Sequence, residues 1–173
     1  MANKKIYRFI ALGAAVLALL ALIMAFIPTV SMDIMGKTKK FSSAAVALLG
    51  QIESQGSASM DFAFNFAGFF ALLLFVPGFV LSIVAAAKSE GKKAISIVSA
   101  VFLLLSGILM FFLLTASNIK VTISGIGSET TKLLGDEAKT AYNVKTMAGS
   151  VMYSVMVLLS GVASIVSAAF NKN

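Results

Sequence analysis

The feature that most constrains this chain is a six-residue basic interruption, Lys88-Ser89-Glu90-Gly91-Lys92-Lys93, between two apolar runs of roughly 25 residues that could each cross a bilayer. A turn so short makes the runs a membrane hairpin, and its three lysines mark the turn as cytoplasmic. A similar run lies toward each terminus, giving transmembrane helices at about 9–30, 62–87, 94–116 and 148–170. Residues 31–61 and 117–147 are left as outer loops of a single membrane domain spanning 1–173. The expected fold class is an all-α membrane protein: a four-transmembrane-helix bundle with a small extracellular cap of short strands and helices from the two outer loops.

Composition agrees. The chain is 59% hydrophobic and 12% charged, with mean hydropathy +0.97. A soluble domain carries about 25% charged residues, and here the charges fall in blocks. Cysteine and histidine are absent from the sequence, which removes disulfides, thiol nucleophiles, imidazole bases and the usual zinc ligands. A net charge of +7 does not point to nucleic acid, because the lysines flank apolar runs instead of clustering with aromatics.

At the start, Lys4, Lys5 and Arg8 precede an uncharged run of about 20 residues. A signal peptide has an apolar region of about 7–15 residues and a small-x-small cleavage site, so this run reads as an uncleaved helix. Ala14, Ala18, Ala21 and Ala25 recur at helical spacing, a narrow stripe along which another helix can approach, though alanine richness alone gives the same pattern. The segment from Thr29 to Met35 alternates like a strand, residues 36–40 read as a polar turn, and Ser42 caps a short helix. A polar stretch from Ser54 to Ser59 leads back to the membrane.

The second helix is crowded with phenylalanines at its outer half. Its one strongly polar side chain, Asn65, must point at another helix or sit at the interface, since an unpaired amide in hydrocarbon is costly. Pro77 and Gly78 predict a kink, either a gate or a packing feature. In the third helix Ser96, Ser99 and Ser106 can bond back to their own helix, so they need no ligand. In the second loop, Asn118 to Ser124 alternates as a strand, and Ser128 is expected to cap a helix over 129–142. The fourth helix carries small residues at Ser150, Ser154, Gly161 and Ser164, the best candidates for close helix contact, with a partner or within the bundle.

A weak repeat relates 29–50 to 115–135, each reading helix end, strand, glycine turn, helix and Leu-Leu-Gly. Each half starts and ends inside, so the repeat is parallel. The loops are too short to fold alone; Thr29–Met35 and Asn118–Ser124 are expected to pair in one cap, covered by the two loop helices.

Lys and Arg number seven on each proposed side, but the inner seven occupy about 17 residues with one acid, Glu90, while the outer seven share about 62 residues with six acids. Both termini are therefore expected to be cytoplasmic, in a multi-pass protein of the cell membrane. The inner lysine cluster is expected to attract anionic membrane lipids, at roughly 1 kcal/mol for each lysine.

The order helix, strand-bearing loop, helix, short basic turn, helix, loop, helix resembles the four-span layout of claudins. Claudins carry a Trp and paired Cys in the first outer loop; this sequence has neither residue, so the likeness implies topology only. It is more similar to small uncharacterised bacterial four-span membrane proteins, which have a Lys-rich start, a polar outer loop and a Lys-rich inner turn, and this implies a bacterial plasma membrane. The four spans contain no Asp, Glu, His, Cys, Lys or Arg, so no catalytic, cofactor-binding or metal-ligating residues are expected. The expected function is non-catalytic association, as a structural, assembly or accessory subunit in a homo-oligomer or larger membrane complex. The alternative is an oligomeric pore lined by serines and Asn65.

Overall fold

The structure is a computed structural model describing residues 2–34, 36–48, 50–87 and 93–170. In chain order the elements are α1 (Ala2–Met24), β1 (Pro28–Ile34), β2 (Lys37–Ser42), α2 (Ser43–Ala47), β3 (Gln51–Gln55), β4 (Ala58–Phe62), α3 (Phe66–Ala87), α4 (Lys93–Phe111), β5 (Asn118–Ile123), β6 (Gly127–Lys132), α5 (Asp136–Tyr142), β7 (Lys145–Thr146) and α6 (Gly149–Phe170). Among the described residues, four helices are long and apolar enough to cross a membrane. The basic turn that organises the sequence falls on 88–92, outside the described residues apart from Lys93.

The four long helices form a ring in the order α1, α6, α4, α3, with α1 meeting α3 over less surface than the other adjacent pairs. Chain order makes every adjacent pair antiparallel. All the strands lie at one end, and Ala2, Ala87, Lys93 and Phe170 at the other. The outer face is a belt of apolar side chains, among them Leu12, Val80, Leu105 and Val162, each half exposed or nearly so. Such a belt fits a multi-pass membrane protein.

Helix ends differ from the sequence reading where strands compete. Pro28 disfavours helical backbone at Ile27, so α1 stops at Met24 and tightens through i→i−3 bonds at Phe26 and Ile27. The second long helix starts at Phe66 instead of 62, because residues up to Phe62 are drawn into β4. α3 continues unbroken through Pro77. Gly78 is needed there for packing: a Cβ at this position would meet Leu103 at 2.9 Å.

The fold class is mixed, not all-α. Among the described residues, seven strands make two antiparallel sheets, ordered β2-β1-β7 and β3-β4-β5-β6. The expected turn at 36–40 is strand β2, closing a tight hairpin at Gly36, whose φ of +74° suits glycine. The polar stretch 54–59 is the β3–β4 hairpin, turning at Gly56 with φ +57°. Ser128 caps no helix: Gly127–Lys132 is β6, laid along β5, and only Asp136–Tyr142 is helical. The β-branched Thr130 and Thr131 suit a strand, and β5 would otherwise leave a free edge there. Ser42 does cap α2, its Oγ accepting from the amide of Ala45 at 3.3 Å.

β1 and β5 do not pair; they sit in different sheets. Each instead heads its own hairpin and takes its third strand from the other half of the chain. Val30 and Ser31 of β1 stand opposite Thr146 and Lys145 of β7, and Ile119 and Lys120 of β5 stand opposite Phe62 and Asp61 of β4. The carbonyl of Thr29 accepts the Met147 amide at 2.8 Å, and that of Asn118, at the matching place, accepts the Ala63 amide at 2.8 Å. The repeat is thus visible in strand register, with the halves exchanging strands. The Leu-Leu-Gly match is not equivalent: one copy follows α2 and the other precedes α5.

A continuous core links cap and bundle. Val30, Met32 and Ile34 of β1 pack with Val46 and Ala47 of α2 and Ala138 of α5, above Leu103, Met110 and Tyr153 between the helices.

Candidate functional site

The small-residue face of α6 is turned inward. Ser150, Ser154 and Ser164 are 4%, 0% and 2% exposed, and a Cβ on Gly161 would meet Leu104 of α4 at 2.8 Å. The face is filled by the chain's own helices, so it is not available to a partner. The alanine stripe of α1 is buried in the same way, with Ala14, Ala18, Ala21 and Ala25 all at 1% or less.

Asn65 is also consumed internally. Its Oδ1 accepts the Gly68 amide at 3.0 Å as the cap of α3, and its Nδ2 donates to the Leu113 carbonyl at 2.7 Å and to Ser117 Oγ at 2.6 Å. One side chain therefore starts α3 and binds it to the end of α4. Some serine hydroxyls bond back along their own helix, Ser82 to the Phe79 carbonyl at 2.7 Å and Ser164 to the Ser160 carbonyl at 3.0 Å, but others reach across helices. Ser99 donates to the Gly78 carbonyl at 2.8 Å and Ser106 to the Ala71 carbonyl at 2.8 Å, both tying α4 to α3. Ser160 donates to the Ala14 carbonyl of α1 at 2.7 Å, and Tyr7 of α1 to the Ala85 carbonyl of α3 at 3.1 Å. The signal for this was available: every one of these serines lies on the small face that permits close backbone approach. The hydroxyls of Ser96 and Ser154 are buried with no partner among the described residues.

The cap also exposes polar groups. There a cleft of about 330 Å³ opens between the two sheets, with Ile34, Met60 and Val121 among its apolar lining and Asp33, Glu53 and Tyr142 among its polar lining. It is at the small end of ligand-pocket volumes, roughly 300–1,000 Å³. Asp33 follows from the strand alternation of β1, which buries its neighbours and leaves its carboxylate at the edge. Its Oδ1 accepts from Thr38 across the hairpin. Its Oδ2 accepts from Nδ2 of Asn143 at 2.7 Å. Asn143 ends α5 in the left-handed conformation, φ +43°, so this bond joins the two halves of the chain. Those two hydrogen bonds, helped by the Lys145 charge, hold the Asp33 carboxyl below its usual range.

Glu53 of β3 pairs with Lys39 of β2, an ion pair joining one sheet to the other. The Lys39 ammonium also donates to the Ile52 carbonyl at 3.2 Å, and its hydrogen bond holds the Glu53 carboxyl below the usual value. Beside the cleft, the β5–β6 hairpin projects an apolar tip at which Ile126 is 83% exposed. Sequence reasoning missed both features, since each depends on which strands pair. The arrangement suits recognition: an apolar floor, two ionised carboxylates with fixed partners, and an exposed apolar tip. Among the described residues no three His, Cys, Asp or Glu side chains converge.

Comparison with protein-family models, with curated proteins and with solved structures returns no match.

Proposed function

We infer that this chain is a non-catalytic integral membrane protein that acts by association, as a structural, assembly or accessory subunit of a homo-oligomer or larger membrane complex. Its four helices serve as a self-contained anchor and its two-sheet cap as the recognition surface. The reading is carried by the placement of polar side chains. The serines of the long helices and Asn65 are buried inside the chain's own bundle, while the cleft and the Ile126 tip are open at the cap. The pore alternative is weakened by the same observation: the serines and Asn65 proposed to line it are buried within one subunit. The charge distribution supports an orientation with both termini cytoplasmic and the cap outside the plasma membrane.

The test is photocrosslinking in native membranes. A photoreactive residue at Ile126 or Ser57 in the cap should give an adduct of one defined mass, and one at Leu105 or Val162 on the lipid-facing helices should give none. Adducts from the helix positions alone would overturn the reading.

A further inference from the structure

On the outward face, at the end opposite the cap, a crevice of about 510 Å³ lies between α1 and α3, lined by Arg8, Phe9, Leu12 and Ala86. We propose that this crevice is a dedicated phospholipid site, holding one acyl chain of an anionic lipid with its phosphate on Arg8. Three observations carry the assignment. This is the ring's thinnest helix seam, and the α3 side ends in Ala85-Ala86-Ala87, side chains too small to fill it. Tyr7, which donates to the Ala85 carbonyl at 3.1 Å, closes the seam from inside, so the opening faces lipid and does not lead into the bundle.

The third observation is the residue type. The chain carries fourteen Lys and Arg, and Arg8 is its only arginine. Lysine serves equally well wherever charge alone sets orientation. Arginine differs in offering a planar fork of donors that binds two phosphate oxygens at once. Arg8 lies two residues into the apolar span that starts at Ile6, so in a bilayer its long side chain can snorkel to the headgroup layer. Phe9 and Leu12, one residue and one helical turn further on, are 74% and 54% exposed beside the crevice and offer an apolar wall to the acyl chain. The site is distinct from the general attraction of the lysines for anionic lipid, and it does not depend on what the cap recognises.

Native mass spectrometry of the full-length protein in detergent tests this, with phosphatidylglycerol and phosphatidylcholine titrated separately. Phosphatidylglycerol should fill one tight site. Arg8→Gln should weaken it about tenfold, the scale of one lost charged hydrogen bond, with Arg8→Lys between the two. Leu12→Trp, which fills the crevice without changing charge, should also displace the lipid, and all three variants should melt like the parent. Glycerol phosphate, the headgroup without its chains, should not compete. Equal binding of phosphatidylglycerol to Arg8→Gln, or equal binding of phosphatidylcholine to the parent, would overturn the proposal. Displacement by glycerol phosphate would overturn it too, showing a site for the free anion.

Discussion

The Ser106 hydroxyl lies 3.0 Å from the phenol oxygen of Tyr153, joining α4 to α6 at the buried centre of the bundle. Because Ser106 also donates to the Ala71 carbonyl, one serine links three helices. Ser154, one residue beyond Tyr153, is equally buried, but its hydroxyl has no partner among the described residues. The two serines should therefore respond oppositely to truncation. Ser106→Ala should lower stability by about 1–3 kcal/mol, the cost of orphaning a buried polar group. Ser154→Ala should be neutral or stabilising. Thermal melting in detergent checks both, and equal losses would refute the assignment.

Glycines at the helix contacts should rank by what surrounds them. A Cβ at Gly149 would meet the Ile27 and Pro28 carbonyl oxygens at 2.5 and 2.7 Å, and backbone there cannot yield. At Gly161 the nearest atoms belong to the Leu104 side chain, at 2.8 and 2.9 Å. Gly149→Ala should cost more than Gly161→Ala, and Gly161→Leu about 1–3 kcal/mol by overpacking. These losses should appear in the melting of the isolated subunit.

Acid should loosen the cap before the bundle. Asp33 and Glu53 both have folded pKa values below their usual 3.8 and 4.5. A depressed carboxylate stabilises the fold above its unfolded pKa, and that contribution is lost as pH falls through the folded value. Amide exchange in β1, β2 and the end of α5 should therefore accelerate below about pH 4. Asp33→Asn should reduce the acceleration, leaving the part due to Glu53. An unchanged profile would show that the carboxylate does not hold the halves together.

Strand exchange between the halves makes a direct prediction. Cysteines replacing Ser31 and Lys145 are opposite one another, as are cysteines replacing Asp61 and Lys120, and a short thiol crosslinker should join either pair. Cysteines at Ser31 and Lys120 belong to different sheets and should remain unjoined. Crosslinking of that last pair would restore the single shared β1–β5 ladder.

The helices and the strand character of β1 and β5 were legible because each follows from local pattern: long apolar runs, and Val30, Met32 and Ile34 alternating with more polar neighbours. The α1 alanine stripe was legible for the same reason. Strand partners were not, since alternation marks a strand without naming its neighbour, and β2, β3 and β6 are polar segments recruited by an adjacent edge. Asn65 was recognised as needing a partner, while Leu113 and Ser117 were beyond reach because they follow from helix rotation. The α6 small-residue face carried the wrong emphasis: spacing identifies a close contact, but whether the other side is the same chain depends on how the ring closes.

The central claim, that the cap recognises and the helices only anchor, is tested most directly by assembly size in membranes extracted with mild detergent. Ile126→Lys and Ser57→Lys alter exposed positions of the cap, and Leu105→Ala with Val162→Ala alters the outward-facing apolar belt of the helices. Native electrophoresis should show the cap variants as free subunits with parental melting, and the helix variants still in the parental assembly. An intact assembly in the cap variants, with dissociation in the helix variants, would contradict the account.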